Sequence, residues 1–393
     1  MLPLATCGRG GRGVRGSDDH HHMRQALRLA ARAAGRVHPN PMVGCVIVQQ
    51  GEVVGQGWHH RAGAAHAEVE ALRHAGDRAR GATVYVTLEP CVHYGRTPPC
   101  APALLAAAVA RVVVAMIDPN PMVAGQGVAA LRAAGVEVTL GCCQQEAEQL
   151  NAAFVSWVTR GRPLVTLKAA LSLDGKMATE SGESRWITGS AARQWAHRLR
   201  DRHDLVMTGI GTVLSDDPRL NCRLSAGRDP IRLVVDSQLR LPDHAAILSS
   251  STTAPLWLAS TEQADRDRWS LLQQQMTVNG SRLISCRATA AGRVDLADLL
   301  VQLAAAGITS VLCETGSCLS GALLAQQLVD RVALFLAPRL VGGHAAIGLL
   351  ASGVARLVQT PWIQDMEMRP LGDDVLVMGS VCYPAEGEPC LPA

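Results

Sequence analysis

An α/β fold in two successive domains is what this sequence predicts. Strand-like apolar runs alternate with amphipathic helical stretches twice over, first across residues 23–159 and again across residues 164–381. Between them Gly161-Arg162-Pro163 ends a helical stretch, because proline lacks an amide hydrogen and clashes with the preceding turn. A length of 393 residues leaves room for two or three domains.

In order along the chain, residues 23–34 have helical spacing, with Leu27, Leu29 and Ala30 on or near one face. Residues 45–48 and 53–54 read as strands around a Gln50-Gly51 turn. A helix over 67–75, a strand over 84–88 and a helix over 101–110 follow. Next come a strand over 112–117, a helix over 128–134, a strand over 136–140 and a Glu- and Gln-rich helix over 144–159. This alternation implies a mixed or parallel sheet with helices on both faces. The second half opens on a strand over 164–168 and a helix over 191–200. Strands over 205–208 and 231–235, a helix over 296–305 and a strand over 310–313 succeed it. A helix over 320–327 and strands over 332–336 and 375–381 complete it, while residues 245–286 show no legible period. The expected organisation is a disordered tail over 1–19, domains over 20–161 and 162–383, and a C-terminal tail over 384–393.

Hydrophobic residues make up 48% and charged residues 18%, a balance suited to sizeable cores. Aromatic residues are only 3%, so Val, Leu and Ala must fill those cores. The net charge of +3 is small and the basic residues are scattered, which argues against a nucleic-acid-binding surface. Twelve cysteines in a long chain without a secretory signal point to a reducing, cytoplasmic compartment, metal ligation and buried thiols. No apolar run reaches the roughly 18 residues of a membrane span. The nearest, residues 103–117, is interrupted by Arg111. The stretch from Gly8 to Gly13 lacks the apolar core of a secretory signal, and an Arg-rich organelle-targeting leader is the alternative to a disordered tail. His20-His21-His22 is too short for a metal-binding tract and reads as solvent-exposed.

Chemistry enters with His66-Ala67-Glu68, followed by Pro90-Cys91 and Cys100. His66, Cys91 and Cys100 form a three-ligand set for zinc, which leaves the fourth tetrahedral position open for water. Zinc lowers the pKa of such a water to about 7. Glu68 is then the acid/base that moves the proton to a departing amine, as in zinc deaminases. The predicted strand ends at Glu89-Pro90-Cys91 and a predicted helix starts after Cys100. A helix N-terminus favours thiolate.

The surroundings carry a family resemblance. His38-Pro39-Asn40-Pro41-Met42-Val43-Gly44 precedes a strand, and Gly55, Gly57, His59 and Gly63 lead to His66. Glu89-Pro90-Cys91-Val92-His93-Tyr94-Gly95-Arg96-Thr97-Pro98-Pro99-Cys100 closes the motif. This resembles the bifunctional riboflavin-biosynthesis proteins that join a pyrimidine deaminase to a pyrimidine reductase. Their long insert between the two cysteines separates them from cytidine and nucleic-acid deaminases. Val92 departs from the small polar residue usual there, at a position that is not a ligand.

In the second half, spacing alone says less. Gly209-Ile210-Gly211-Thr212 follows a strand but lacks the third glycine of a Rossmann fingerprint, so it reads as a turn. The small-residue loop from Glu314 to Ala322 would expose backbone N–H groups at a helix start, which suits a pyrophosphate. The family resemblance extends here through Leu167 to Gly175, Ser184-Arg185-Trp186-Ile187-Thr188, Gly211 to Leu220 and Val234-Val235-Asp236-Ser237. It implies a dihydrofolate-reductase-like α/β domain that binds NADPH, after an N-terminal three-layer cytidine-deaminase-like domain. Under it Ala170, Trp186, Thr212, Asp216, Ser237, Gly316, Ser317, Cys318, Leu319, Ser320, Gly321 and Ala322 would face the cofactor. Ser184, Arg200, Leu220, Arg223 and Glu314 would face the phosphorylated substrate, with Arg200 and Arg223 forking onto phosphate. Lys168, Asp216 and Glu314 are the candidates for polar catalytic support. Ser317 and Cys318 replace the usual Pro and Thr of this loop, and Asn221 replaces a Thr.

The resemblance therefore implies two consecutive steps, deamination of a diaminopyrimidinone ribosylamine phosphate and reduction of its ribosyl group to ribityl. Zn²⁺ and NADPH are the implied cofactors. Small phosphorylated pyrimidines are the implied partners, with no nucleic acid and no membrane, and a homo-oligomer is left open. Two rivals share parts of the pattern. A nucleic-acid or tRNA deaminase would need an aromatic-lined basic surface, and a non-catalytic binding protein would not need Glu68.

Overall fold

The structure, a computed structural model, describes residues 13–94, 98–121, 123–248, 254–276, 280–351 and 353–384. Gly95-Arg96-Thr97, most of the predicted 1–19 tail and nearly all of the C-terminal tail lie outside those residues. The chain divides into two compact units between Thr159 and Arg160. Among the described residues, no helix is long and apolar enough to cross a membrane.

The first unit runs α1 (Gly13–Ala30), β1 (Gly44–Gln49), β2 (Glu52–Trp58), α2 (Ala67–Ala75), β3 (Thr83–Val86) and α3 (Cys100–Ala106). It continues with β4 (Arg111–Val114), α4 (Gln126–Ala133), β5 (Glu137–Leu140), α5 (Gln144–Leu150) and α6 (Ala152–Arg160). The sheet order is β2-β1-β3-β4-β5. β1 is antiparallel to β2 and β3, and β3, β4 and β5 are parallel. Strand alternation splits the apolar side chains between two faces. Ile47, Val84, Val86, Val112 and Val114 pack with Ala71 of α2, Leu104 of α3 and Leu131 of α4. Val46, Val48, Tyr85 and Val113 pack with Met23 and Leu27 of α1 and Ala147 of α5. This is the expected three-layer architecture.

Two expectations need correction. The helix expected from Met23 starts at Gly13, so residues 13–19 are not a disordered tail. Asp19 is buried. It accepts both ends of the Arg111 guanidinium fork (2.9 and 2.8 Å) and the Tyr85 hydroxyl (2.9 Å). These partners lie in β3 and β4, so apolar spacing could not announce them. The single helix expected over 144–159 is two helices broken at Asn151. That side chain is buried, accepting from the Met42 amide (2.8 Å) and donating to the Met42 carbonyl (3.0 Å).

The second unit runs β6 (Leu164–Ser172), α7 (Ser190–Arg202), β7 (Leu205–Gly209), α8 (Ile210–Asp216), β8 (Ile231–Val235), β9 (Leu256–Thr261) and α9 (Arg266–Gln275). Then come β10 (Arg282–Cys286), α10 (Leu296–Ala305), β11 (Ser310–Glu314), α11 (Ser317–Ala325), β12 (Arg331–Ala337), β13 (Trp362–Leu371) and β14 (Asp374–Cys382). Its sheet order is β10-β9-β8-β7-β11-β6-β12-β14-β13. β10 through β12 are parallel, and β14 and β13 extend that sheet antiparallel. The chain walks outward from β7 to β10, and then β11 returns between β7 and β6. In an open parallel sheet, ligands bind beyond the carboxyl ends of the strands where the order reverses.

Two candidate active sites

In the first unit, His66 is the N-cap of α2, and Glu68 sits buried in that helix's first turn. Close packing places this helix end: a Cβ at Gly57 in β2 would lie 2.4 Å from the Ala67 carbonyl, so only glycine lets α2 lie so near the sheet. Cys100 opens α3, and Cys91 comes from the loop after β3. His66 Nδ1 lies 3.2 Å from Cys100 Sγ and 3.5 Å from Cys91 Sγ. Zinc bonds of about 2.0–2.3 Å place tetrahedral ligands about 3.3–3.8 Å apart, so this set fits the metal. The Cys100 amide donates to Cys91 Sγ at 3.4 Å. The Cys100 thiol, His66 and that amide together hold the Cys91 thiol well below its ordinary range. Burial pushes the Glu68 carboxyl up to about 7, which lets it hold or release a proton near neutrality.

These groups open onto a cavity of ≈ 430 Å³. Asn40, His59, Asp118, Asn120 and Phe154 line it with His66, Glu68 and Cys91. The Asn40 amide meets His59 Nε2 at 3.1 Å, and His59 Nδ1 meets the Ala65 carbonyl at 3.1 Å. Burial lowers the His59 pKa, so the ring stays neutral and keeps both contacts.

In the second unit, half-buried Lys168 of β6 and Arg200 of α7 converge on the buried Glu314 carboxylate at the end of β11. Lys168 Nζ donates to Glu314 Oε2 at 3.3 Å. Arg200 donates to both Glu314 oxygens, at 2.6 and 3.0 Å, and to the Asn221 carbonyl at 2.8 Å. Burial pushes the Glu314 carboxyl up, but Arg200 and Lys168 outweigh it and hold it well below the usual range. Beside these groups, Gly316 is the N-cap of α11, and its amide donates to Thr212 Oγ1 at 3.1 Å. The first turn of α11 carries no acidic side chain. A Cβ at Gly211 would meet open space. The ends of β6, β7 and β11 thus bring Lys168, Thr212, Glu314 and the glycine loop to the switch point, with backbone donors suited to a cofactor's phosphates.

Not every expected contact is offered as foreseen. Arg200 spends its fork on Glu314 and Asn221, and Arg223 remains the exposed arginine, its guanidinium 3.3 Å from Asn221 Oδ1. Leu220 is buried in a hydrophobic cluster with Val206 and Val234, so its side chain does not face a substrate. Ser320 and Gly321 are buried, and Leu319 and Ala322 pack on the core. At the start of α11 Gly316 and Ser317 are half-buried and Cys318 is exposed, so the open side of the loop belongs to these three. Ser237 accepts from the Val294 amide at 3.0 Å, and Arg185 donates to the Asp216 carbonyl. Trp186 is exposed with the Arg193 guanidinium 4.7 Å above its ring. Ala170 and Ser184 are half-buried.

Comparison with known proteins bears on both units. The family model for the zinc-binding region of cytidine and deoxycytidylate deaminases matches residues 16–116, and that for the RibD C-terminal domain matches residues 163–377. The riboflavin biosynthesis protein RibD of Escherichia coli strain K12 is 43% identical over 371 residues, covering 91% of this chain and 98% of that protein. The chain belongs to the RibD family. The RibD of Aquifex aeolicus strain VF5 is 38% identical over 360 residues, covering 91% of this chain and 97% of its own. A RibD structure from Acinetobacter baumannii superposes with a TM-score of 0.82 at 40% identity, covering 94% of this chain and 100% of that one. A deaminase/reductase structure from Thermotoga maritima gives 0.80 at 31% identity, with the same coverage.

Within this RibD frame, sequence reading missed the far wall of the cavity. Glu89 is buried and accepts from the amides of Asp118 (3.2 Å), Gly125 (2.9 Å) and Val128 (3.0 Å). That clasp holds the loop bearing Asp118 and Asn120 in place. The signal was present in the Glu89-Pro90-Cys91 motif, but its partners lie 29 to 39 residues away. Gly127 completes the clasp, since a Cβ there would lie 1.9 Å from the Pro90 carbonyl. Gly127→Ala is expected to destabilise this unit by about 1–3 kcal/mol, the usual cost of overpacking, and to slow ammonia release. Thermal unfolding beside an ammonia assay checks it, and unchanged deamination would show that the loop tolerates displacement. Removing any zinc ligand, by His66→Ala, Cys91→Ala or Cys100→Ala, is expected to remove the catalytic zinc, because two protein ligands remain. Cys313→Ala, in the core of the other unit, is the control that keeps it in metal analysis.

Proposed function

We infer that this chain is a bifunctional zinc- and NADPH-dependent enzyme of riboflavin biosynthesis. The first unit deaminates the diaminohydroxyphosphoribosylaminopyrimidine, and the second reduces the resulting 5-amino-6-(5-phosphoribosylamino)uracil. The observation that carries the first reading is a buried, proton-holding carboxyl, Glu68, beside three ligand atoms spaced for zinc. When bound, zinc supplies a Lewis acid and an activated water. Glu68 takes a proton at its carboxylate and delivers it to the departing amine. His66, Cys91 and Cys100 fix the metal, and Asn40 and His59 shape the wall against which the pyrimidine lies.

In the second unit, NADPH supplies the hydride. The amides at the start of α11, with Thr212, would hold its phosphates, and Ser237, Trp186 and Asp216 are the further residues that would contact it. Glu314 fixes the position of the Lys168 side chain, 3.3 Å away, as polar support for the reduction. Arg223, with Ser184, meets the substrate phosphate. Chelators are expected to stop ammonia release from the full chain and to leave NADPH oxidation intact when the deaminated pyrimidine is supplied. A fragment of residues 162–393 is expected to keep that reduction. Loss of reduction on removing zinc would overturn the separation of the two chemistries.

A further inference from the structure

A second set of metal-ligating atoms lies on the opposite face of the first sheet from the catalytic cysteines. His20 on α1 and the adjacent Cys142 and Cys143 bring one imidazole nitrogen and two sulfurs within 4.8 Å of one another. Cys142 and Cys143 join β5 to α5, and both are free thiols. Both belong to the cluster built on Met23, Val46 and Tyr85, whereas α2 and α3 pack with Ile47 and Val84 on the other side. Cys143 is the N-cap of α5 with φ +57°, yet its side chain makes no capping hydrogen bond. That left-handed turn directs two neighbouring thiols toward one helix, α1. His20 and His21 are exposed, as the sequence predicts, and the thiols near His20 are more than a hundred residues away in the chain.

We propose that His20, Cys142 and Cys143 form a second site for a thiophilic divalent cation such as zinc. Two sulfurs and an imidazole are the donor set that borderline and soft cations prefer. Tetrahedral zinc needs ligands about 3.3–3.8 Å apart, and the exposed His20 ring can close the remaining distance by rotation. His20 is exposed, so water could complete the coordination from that side. Local charge is balanced, because Glu146 beside Cys143 is paired with Arg24 and Asp19 beside Cys142 is paired with Arg111, so the donor set itself must draw the cation. An ion here would pin α1 to the β5–α5 turn and leave the catalytic cavity untouched.

The full-length protein, equilibrated with zinc ions and freed of unbound metal, is expected to carry two zincs per chain. The double variant Cys142→Ser with Cys143→Ser is expected to carry one and to deaminate at the wild-type rate. His20→Ala, a surface change that leaves both buried thiols in place, is also expected to carry one, which guards against a double variant that fails to fold. His66→Ala should lose the other zinc and keep this one. One zinc per chain in the wild type, or two in both His20→Ala and the double variant, would overturn the proposal.

Discussion

Glu68→Gln is expected to keep zinc bound and to lose deamination by the upper end of the 10²–10⁴-fold range that a general acid/base typically contributes. The amide preserves the shape of the first turn of α2, and the three ligand atoms sit on other residues, so the metal site stands. What disappears is a group that can hold a proton: burial brings the carboxyl up to about 7, and an amide has no equivalent state. One residue must both take the proton from water and deliver it to the amine, so nothing remains to share the work. Metal analysis, ammonia release and NADPH oxidation on one preparation check this. Deamination near the wild-type rate with zinc in place would show that another group moves the proton.

The largest effect in the second unit is expected from Arg200→Met. Glu314 would then stay buried with only Lys168 opposite it. Removing one partner of a buried ion pair typically costs about 3–5 kcal/mol, because the remaining charge is left uncompensated. The pH dependence should reverse as well. In the wild type the folded Glu314 carboxyl titrates below its ordinary value of 4.5. Its contribution is therefore present at neutral pH and is lost as pH falls through the folded pKa. With Arg200 gone, burial becomes the dominant influence and the folded pKa rises. The variant should then be most destabilised at neutral pH, with the gap to wild type narrowing toward pH 4.5. Denaturant unfolding at several pH values reads this, and a gap independent of pH would mean that Arg200 acts through packing alone.

The parts of both sites that lie close together in sequence were legible in it. His66, Glu68, Cys91 and Cys100 fall within one short span, and each sits where a helix begins or a strand ends, so spacing carried the chemistry. Asp118, Asn120 and Phe154 reach the same cavity from separate elements and share no spacing with it. The Arg200 fork was read toward phosphate because the sequence cannot show that Glu314 faces it. In the fold, β9 was invisible for a definite reason: all six of its residues are buried, which removes the alternation that marks a strand. β13 failed oppositely, since nearly every residue is exposed and no apolar period develops.

The span Glu89-Pro90-Cys91 also sets rules for redesign. One end of it grips the metal, and the other grips three amides of the 118–128 segment. A foreign segment grafted there to change which pyrimidine is accepted could bring any side chain at Asn120 or Val123. It would still need amide hydrogens in the same three places and a glycine opposite the Pro90 carbonyl. The side chains that line the cavity from this segment are open to exchange, while the anchor that presents them adjoins the metal ligand Cys91 and must travel unchanged.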